Sequence, residues 1–114
     1  MNKNDLYKYK AEIISVYDGD TIRCDLSLGF NHWIKNLSVR LYGINTPEIR
    51  GKEKEQGYIS RDRLRELVLG KEVILESHKD KTGKFGRVLA TLHLDGVNIN
   101  EQLIAEGLAV RYII

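Results

Sequence analysis

Asp20, Arg40, Asn45, Glu48 and Arg87 fall in three short stretches, DGDT (18–21), VRLYGINTPE (39–48) and KFGR (84–87), and each stretch reads as a strand running into a turn. Together they hold oxygen ligands for a hard cation, one carboxylate free to act as a base, and two guanidinium groups. Cutting a phosphodiester needs that set: a cation and arginines to offset the charge that develops on phosphorus, and a base for the attacking water.

Asp20 lies just after the Asp18-Gly19 turn, where its carboxylate can project toward a neighbouring strand. Pro47 fixes its own φ and drives Thr46 into an extended conformation, leaving the Thr46 carbonyl outside any helix. Asp20, Asn45 and the Thr46 carbonyl are hard ligands, and Ca²⁺ accepts roughly 6 to 8 oxygens, so positions remain for water and a phosphate oxygen. The three histidines, His32, His78 and His93, are scattered and lack ligand spacing. Glu48 follows directly on Pro47 and is placed to take a proton from water; alone it would read as a surface carboxylate. Arg40 and Arg87 sit among apolar or small strand residues, a position that calls for an ion pair or a cleft. Lys84 and Phe85, beside two glycines, read either as a grip on a terminal phosphate with a stacking ring or as a solvated hairpin tip.

The elements that must position these groups follow from periodicity. Residues 7 to 28 are strand-like on both sides of Asp18-Gly19, which predicts a hairpin. GFNHWIKN (29–36) reads as a loop or wide hairpin end, and a third strand resumes over Leu37 to Ile44, with Val39 and Leu41 on the face opposite Arg40. After the charged stretch IRGKEKEQG, a helix places Ser60, Leu64, Leu67 and Val68 on one face, leaves Arg61, Arg63 and Arg65 mostly solvated, and ends at Gly70. Strands over Lys71 to His78 and Arg87 to Leu94 flank the turn KDKTGKFG, and a last helix spans Ile99 to Glu106, capped by Asn98 with Glu101 in a capping-box-like arrangement. The predicted fold is a β-barrel with α-helices, of the α+β class. It is a five-stranded OB-fold with one helix after strand three and one near the C-terminus.

With 114 residues the chain is expected to form one domain over 1–114. Its 18 Lys and Arg against 16 Asp and Glu give a net charge of +2, so any anion site must be local. The lone cysteine, Cys24, excludes an internal disulfide and reads as a small buried apolar residue. No signal-length or membrane-length apolar run is present; as written the chain reads as cytoplasmic, although a mature secreted form would carry the same features. Nothing in the patterning requires more than a monomer.

Four motifs in order, VYDGDT (16–21), VRLYGINTPE (39–48), GKFGR (83–87) followed by Leu89-Ala90, and NEQLIAEGLA (100–109), make the chain resemble the staphylococcal nuclease, or thermonuclease, family from about Tyr7 to about Tyr112. The resemblance implies a Ca²⁺-dependent phosphodiesterase acting on DNA and RNA, preferring single strands and leaving 3′-phosphate and 5′-hydroxyl ends. It implies Asp20 and the Thr46 carbonyl as calcium ligands, Glu48 as general base, and Arg40 and Arg87 as contacts to the scissile phosphate. Lys84, Phe85 and Tyr112 are the expected substrate-binding residues. Asn45 stands where the family usually has a calcium-binding aspartate, so another divalent cation could serve. Phe85 replaces a frequent tyrosine, and the chain stops at Ile114 without the further helix of some members. The rival reading is a catalytically silent OB-fold module that binds single-stranded nucleic acid.

Overall fold

The computed structural model describes residues 7–78 and 88–112. Eight strands and two helices run in the order β1 (Lys8–Asp18), β2 (Thr21–Gly29), β3 (His32–Leu41), β4 (Ile44–Asn45), α1 (Lys54–Val68), β5 (Glu72–His78), β6 (Val88–Leu94), β7 (Val97–Asn98), α2 (Ile99–Ala105) and β8 (Val110–Arg111). Five of the strands form the barrel. β1 pairs antiparallel with β2 and β5, β2 with β3, and β5 with β6, and a parallel pairing of β3 with β6 closes the ring. This is the expected OB-like α+β architecture, and closure removes the exposed sheet edges.

β1 is able to serve two neighbours because it bends. Register shifts between Ile13 and Ser15 and between Val16 and Asp18 mark bulges, which increase the local twist a small barrel needs. Inward residues of every barrel strand then meet: Ile13 and Val16, Ile22 and Cys24, Val39 and Leu41, Val73 and Leu75, and Leu92 are all buried in one cluster. Cys24 is 0% exposed at its centre and carries no disulfide. Leu64 and Val68 of α1 and Ile99 and Leu103 of α2 belong to the same core.

The buried side chain of Asn100 secures the closing seam. Its amide donates to the carbonyls of Tyr42 (2.9 Å) and Ala90 (3.1 Å), and its oxygen accepts from the Leu92 N–H (3.1 Å). The Tyr42 N–H also donates to the Ala90 carbonyl at 2.7 Å, so the turn leaving β3 is fixed to β6. That turn delivers Asn45 and Thr46.

Three expectations are corrected. Strand three begins at His32 rather than Leu37, because only Phe30 and Asn31 form the turn, both with positive φ (54° and 62°), the geometry that suits a tight hairpin. It also ends at Leu41; Ile44–Asn45 is a separate short strand paired with β8. At the last helix, Asn98 does accept from the Glu101 N–H (3.0 Å), but the Glu101 carboxylate forks onto Arg111 (2.9 Å to both nitrogens) instead of completing a capping box. Arg87, predicted to open the fifth barrel strand, lies outside the described residues.

Candidate active site

The β1–β2 turn sets the first group. The Asp20 N–H donates to Asp18 Oδ1 at 3.0 Å, a side-chain turn that a short acidic residue supports. The Asp20 carbonyl accepts from the Leu41 N–H (2.8 Å), which ties this turn to the end of β3. Gly19 leaves no room above it: a Cβ there would stand 2.8 Å from side-chain carbons of Thr46 and Ser60. The turn can therefore press against the 45–48 loop and α1 only as glycine.

From this seat the Asp20 carboxylate gathers its neighbours. Oδ2 accepts from the Thr46 N–H (3.0 Å) and lies 3.1 Å from Arg40 Nη1, while Oδ1 accepts from the Thr21 hydroxyl (3.2 Å). Arg40 Nη1 also donates to the Leu41 carbonyl (3.3 Å), and Nη2 donates to Asn45 Oδ1 (3.4 Å). The structure thus brings together Asp20, Arg40, Asn45 and Thr46, from a turn, a strand end and a loop. Asp20 and Thr46 are each only 6% exposed, whereas Asn45 is exposed and Arg40 half-buried, so the cluster runs from the interior out to the surface.

Glu48 is exposed two residues further on. Its N–H donates to Glu53 Oε2 (3.3 Å), and its carbonyl lies against Gly57, where even one methyl group would collide with it. The loop is held by its backbone while the carboxylate points free. Beside it, a cleft of about 290 Å³ opens between Asn45, Thr46 and Pro47 on one wall and Ser60 and Leu108 on the other. Tyr112, also exposed, is anchored by its N–H to the Gly43 carbonyl (2.9 Å), two residues before Asn45. Arg87, Lys84 and Phe85 lie outside the described residues.

Asp18 is a member that the sequence reading treated only as a turn residue. It is 8% exposed beside Asp20, and its pKa is pushed up to about 6, first by burial and then by the hydrogen bond to and negative charge of Asp20. Its signal in the sequence was the doubled acid of DGDT, which a hairpin turn alone does not require.

The donor set suits a hard divalent cation: two carboxylates whose mutual repulsion a positive ion relieves, the Asn45 amide oxygen, and the Thr46 backbone carbonyl. The Thr46 hydroxyl is buried without a hydrogen-bond partner among the described residues, a further oxygen at the same place. All of these donors are oxygens. Among the described residues no group of three or more His, Cys, Asp or Glu gathers to hold a metal, so the set depends on neutral oxygens beside the aspartates.

Residues 38–114 match the family model described as staphylococcal nuclease homologue. The chain is 33% identical over 105 residues to an uncharacterized endonuclease of Haemophilus influenzae, covering 92% of this chain and 53% of that protein. It is 32% identical to endonuclease YncB of Bacillus subtilis (98% and 53% covered) and 33% identical to a thermonuclease of Staphylococcus hyicus (86% and 56% covered). The chain spans about half the length of these relatives.

Proposed function

Because the chain belongs to the staphylococcal nuclease family, we propose that it is a metal-dependent nuclease hydrolysing DNA, RNA or both by in-line attack of water on the phosphodiester. The observation that carries this reading is the convergence of Asp20, Arg40, Asn45 and Thr46, with Glu48 exposed two residues further along the same loop. When bound, a divalent cation, with Ca²⁺ the first candidate, supplies Lewis acidity toward a phosphate oxygen. Asp20, Asn45 and the Thr46 carbonyl would hold it, with Asp18 adding charge.

Arg40 is preorganised. Its fork is fixed by Asp20, Asn45 and the Leu41 carbonyl, so little ordering entropy is lost when it meets the charge growing on phosphorus. Glu48 orients the attacking water and takes its proton; its loop is fixed by the Glu48 N–H to Glu53 and by the Glu48 carbonyl against Gly57. Arg87 is the second phosphate clamp by the family pattern, and Lys84, Phe85 and Tyr112 bind the substrate beyond it. Single-stranded substrate with 3′-phosphate and 5′-hydroxyl products completes the proposal.

The test follows cleavage of single-stranded DNA and RNA with added Ca²⁺, with other divalent ions and with chelator. Glu48→Gln is expected to slow cleavage by roughly 100- to 10,000-fold while the protein remains folded. Metal-independent cutting, or an unchanged rate in Glu48→Gln, overturns the mechanism. Tight binding of the oligonucleotide without any cutting would instead favour a silent nucleic-acid-binding module.

A further inference from the structure

A second groove, about 480 Å³ in volume, lies between the outer face of β1, β2 and β3 and the α1 helix. Its lining includes Arg23, Arg61 and Arg65 and no acidic side chain among the described residues. It adjoins the candidate active site at two points. Thr21, on its floor, bonds the Asp20 carboxylate, and Ile49, on its wall, directly follows Glu48.

The register of the β2–β3 ribbon connects the two sites. Thr21 pairs with Arg40 and Arg23 pairs with Ser38, so all four side chains stand on the outer face opposite buried Ile22 and Val39. Two residues along a strand advance about 6.6 Å, and Arg23 therefore lies one such step beyond Thr21 along the surface that begins at Arg40. The row ends at Asp25, whose carboxylate is already engaged by Lys35 (3.5 Å) and the Asn36 N–H (2.9 Å).

The charge on these arginines is poorly neutralised, in contrast to that on Arg63 and Arg111. Arg63 forks onto Glu106 at 2.7 and 3.0 Å, and Arg111 forks onto Glu101. In the groove, Arg61 and Arg65 share one carboxylate, Asp62, at 3.0 and 3.7 Å, and Arg65 also donates to the Val16 carbonyl (3.1 Å). Arg23 donates to the neutral Asn36 carbonyl (3.0 Å). Three cations against one shared anion leave a surplus where the ribbon also offers the hydroxyl of Ser38. Tyr17 places an exposed ring at the rim, and Arg61 stacks 4.6 Å over Tyr58.

We propose that this groove is a phosphate-binding subsite that receives the sugar–phosphate backbone of the same nucleic acid strand on one side of the reacting phosphate. The proposal rests on the nuclease reading for the identity of its ligand. Guanidinium forks hold phosphate oxygens, and the exposed ring accepts a base by stacking.

The experiment measures binding, by fluorescence anisotropy in chelator, of a long single-stranded oligothymidylate and of a mononucleoside bisphosphate. Arg23→Gln and Arg61→Gln are each expected to weaken binding of the long strand about tenfold. Each should also lower the slope of log affinity against log salt by about 0.7, and Arg23→Lys should restore that slope. Binding of the bisphosphate should stay as in the parent protein. Unchanged long-strand affinity and slope in folded Arg23→Gln protein overturns the proposal, as does an equal loss for the bisphosphate. Binding of anionic phospholipid vesicles that depends on these arginines, with oligonucleotide affinity unmoved, overturns it in favour of a membrane surface. Should Arg61→Gln not fold, Arg23→Gln, at an exposed strand position, decides the matter. Because binding is read here and cleavage in the separate assay above, the two readings fail separately: loss of groove dependence in binding sinks only the subsite, and absence of cutting in the cleavage assay sinks only the nuclease.

Discussion

Arg40 donates to Asp20 and to the Asn45 amide at once, so position 45 influences both the cation site and the clamp. Asn45→Asp adds a negative oxygen to a donor set that otherwise has only Asp18 and Asp20 as anions. It is expected to tighten divalent cation binding about tenfold, read by calorimetric titration, with the Ca²⁺ concentration for half-maximal cleavage moving in parallel. Unchanged cation affinity would show that position 45 is not a ligand. Asp20, Arg40, Asn45 and Thr46 were legible as a cluster because motif spacing and a shared barrel end imply proximity. Asp18 was not, since an Asp before Gly is already accounted for by a turn, and only burial beside Asp20 reveals its charge conflict. Arg61 and Arg65 read as the wet side of a helix; periodicity shows which way they face but not that a ribbon carrying Arg23 lies opposite.

The loop bearing Glu48 is positioned by the first turns of α1. Gly57 there abuts the Glu48 carbonyl so closely that Gly57→Ala must move either the helix or the loop. The expected cost is about 1–3 kcal/mol, measured by urea unfolding. Cleavage should fall by more than stability explains, because the displaced segment carries the base. Wild-type cleavage in folded Gly57→Ala protein would mean that the loop adapts freely. The helices and the β1–β2 hairpin could be read from periodicity and stop signals. The start of β3 could not: Gly29 and Asn36 look like loop residues, yet Gly29 ends β2, and Asn36, at positive φ, lies at an irregularity inside β3. β4 and β8 are two residues each, too short to have a period.

Stability of the whole molecule responds to pH through one group at the barrel seam and one at the candidate site. Burial lowers the pKa of His78, which stacks on Tyr42 (4.0 Å between rings) and bonds the Thr91 hydroxyl (2.9 Å). The unfolded chain then takes up this proton first, so its contribution is complete above about pH 6.5 and is lost as pH falls from there through the lower folded value. Asp18 acts in the opposite sense, since its raised pKa lets the folded state bind a proton first on acidification. Urea midpoints of metal-free protein between neutral and mildly acid pH should therefore decline less in His78→Gln and more in Asp18→Asn than in the parent; parallel curves for all three would refute the assignment. Closure of the barrel has one more consequence. Cys24 is sealed at the centre of the core, with a thiol pushed up to about 11 by burial first and by Asp25 next. A thiol so placed reacts with reagents only after β1, β2 and β3 part. The chain thus carries its own clock for breathing of the barrel, readable as a labelling rate while the nuclease reading is tested separately.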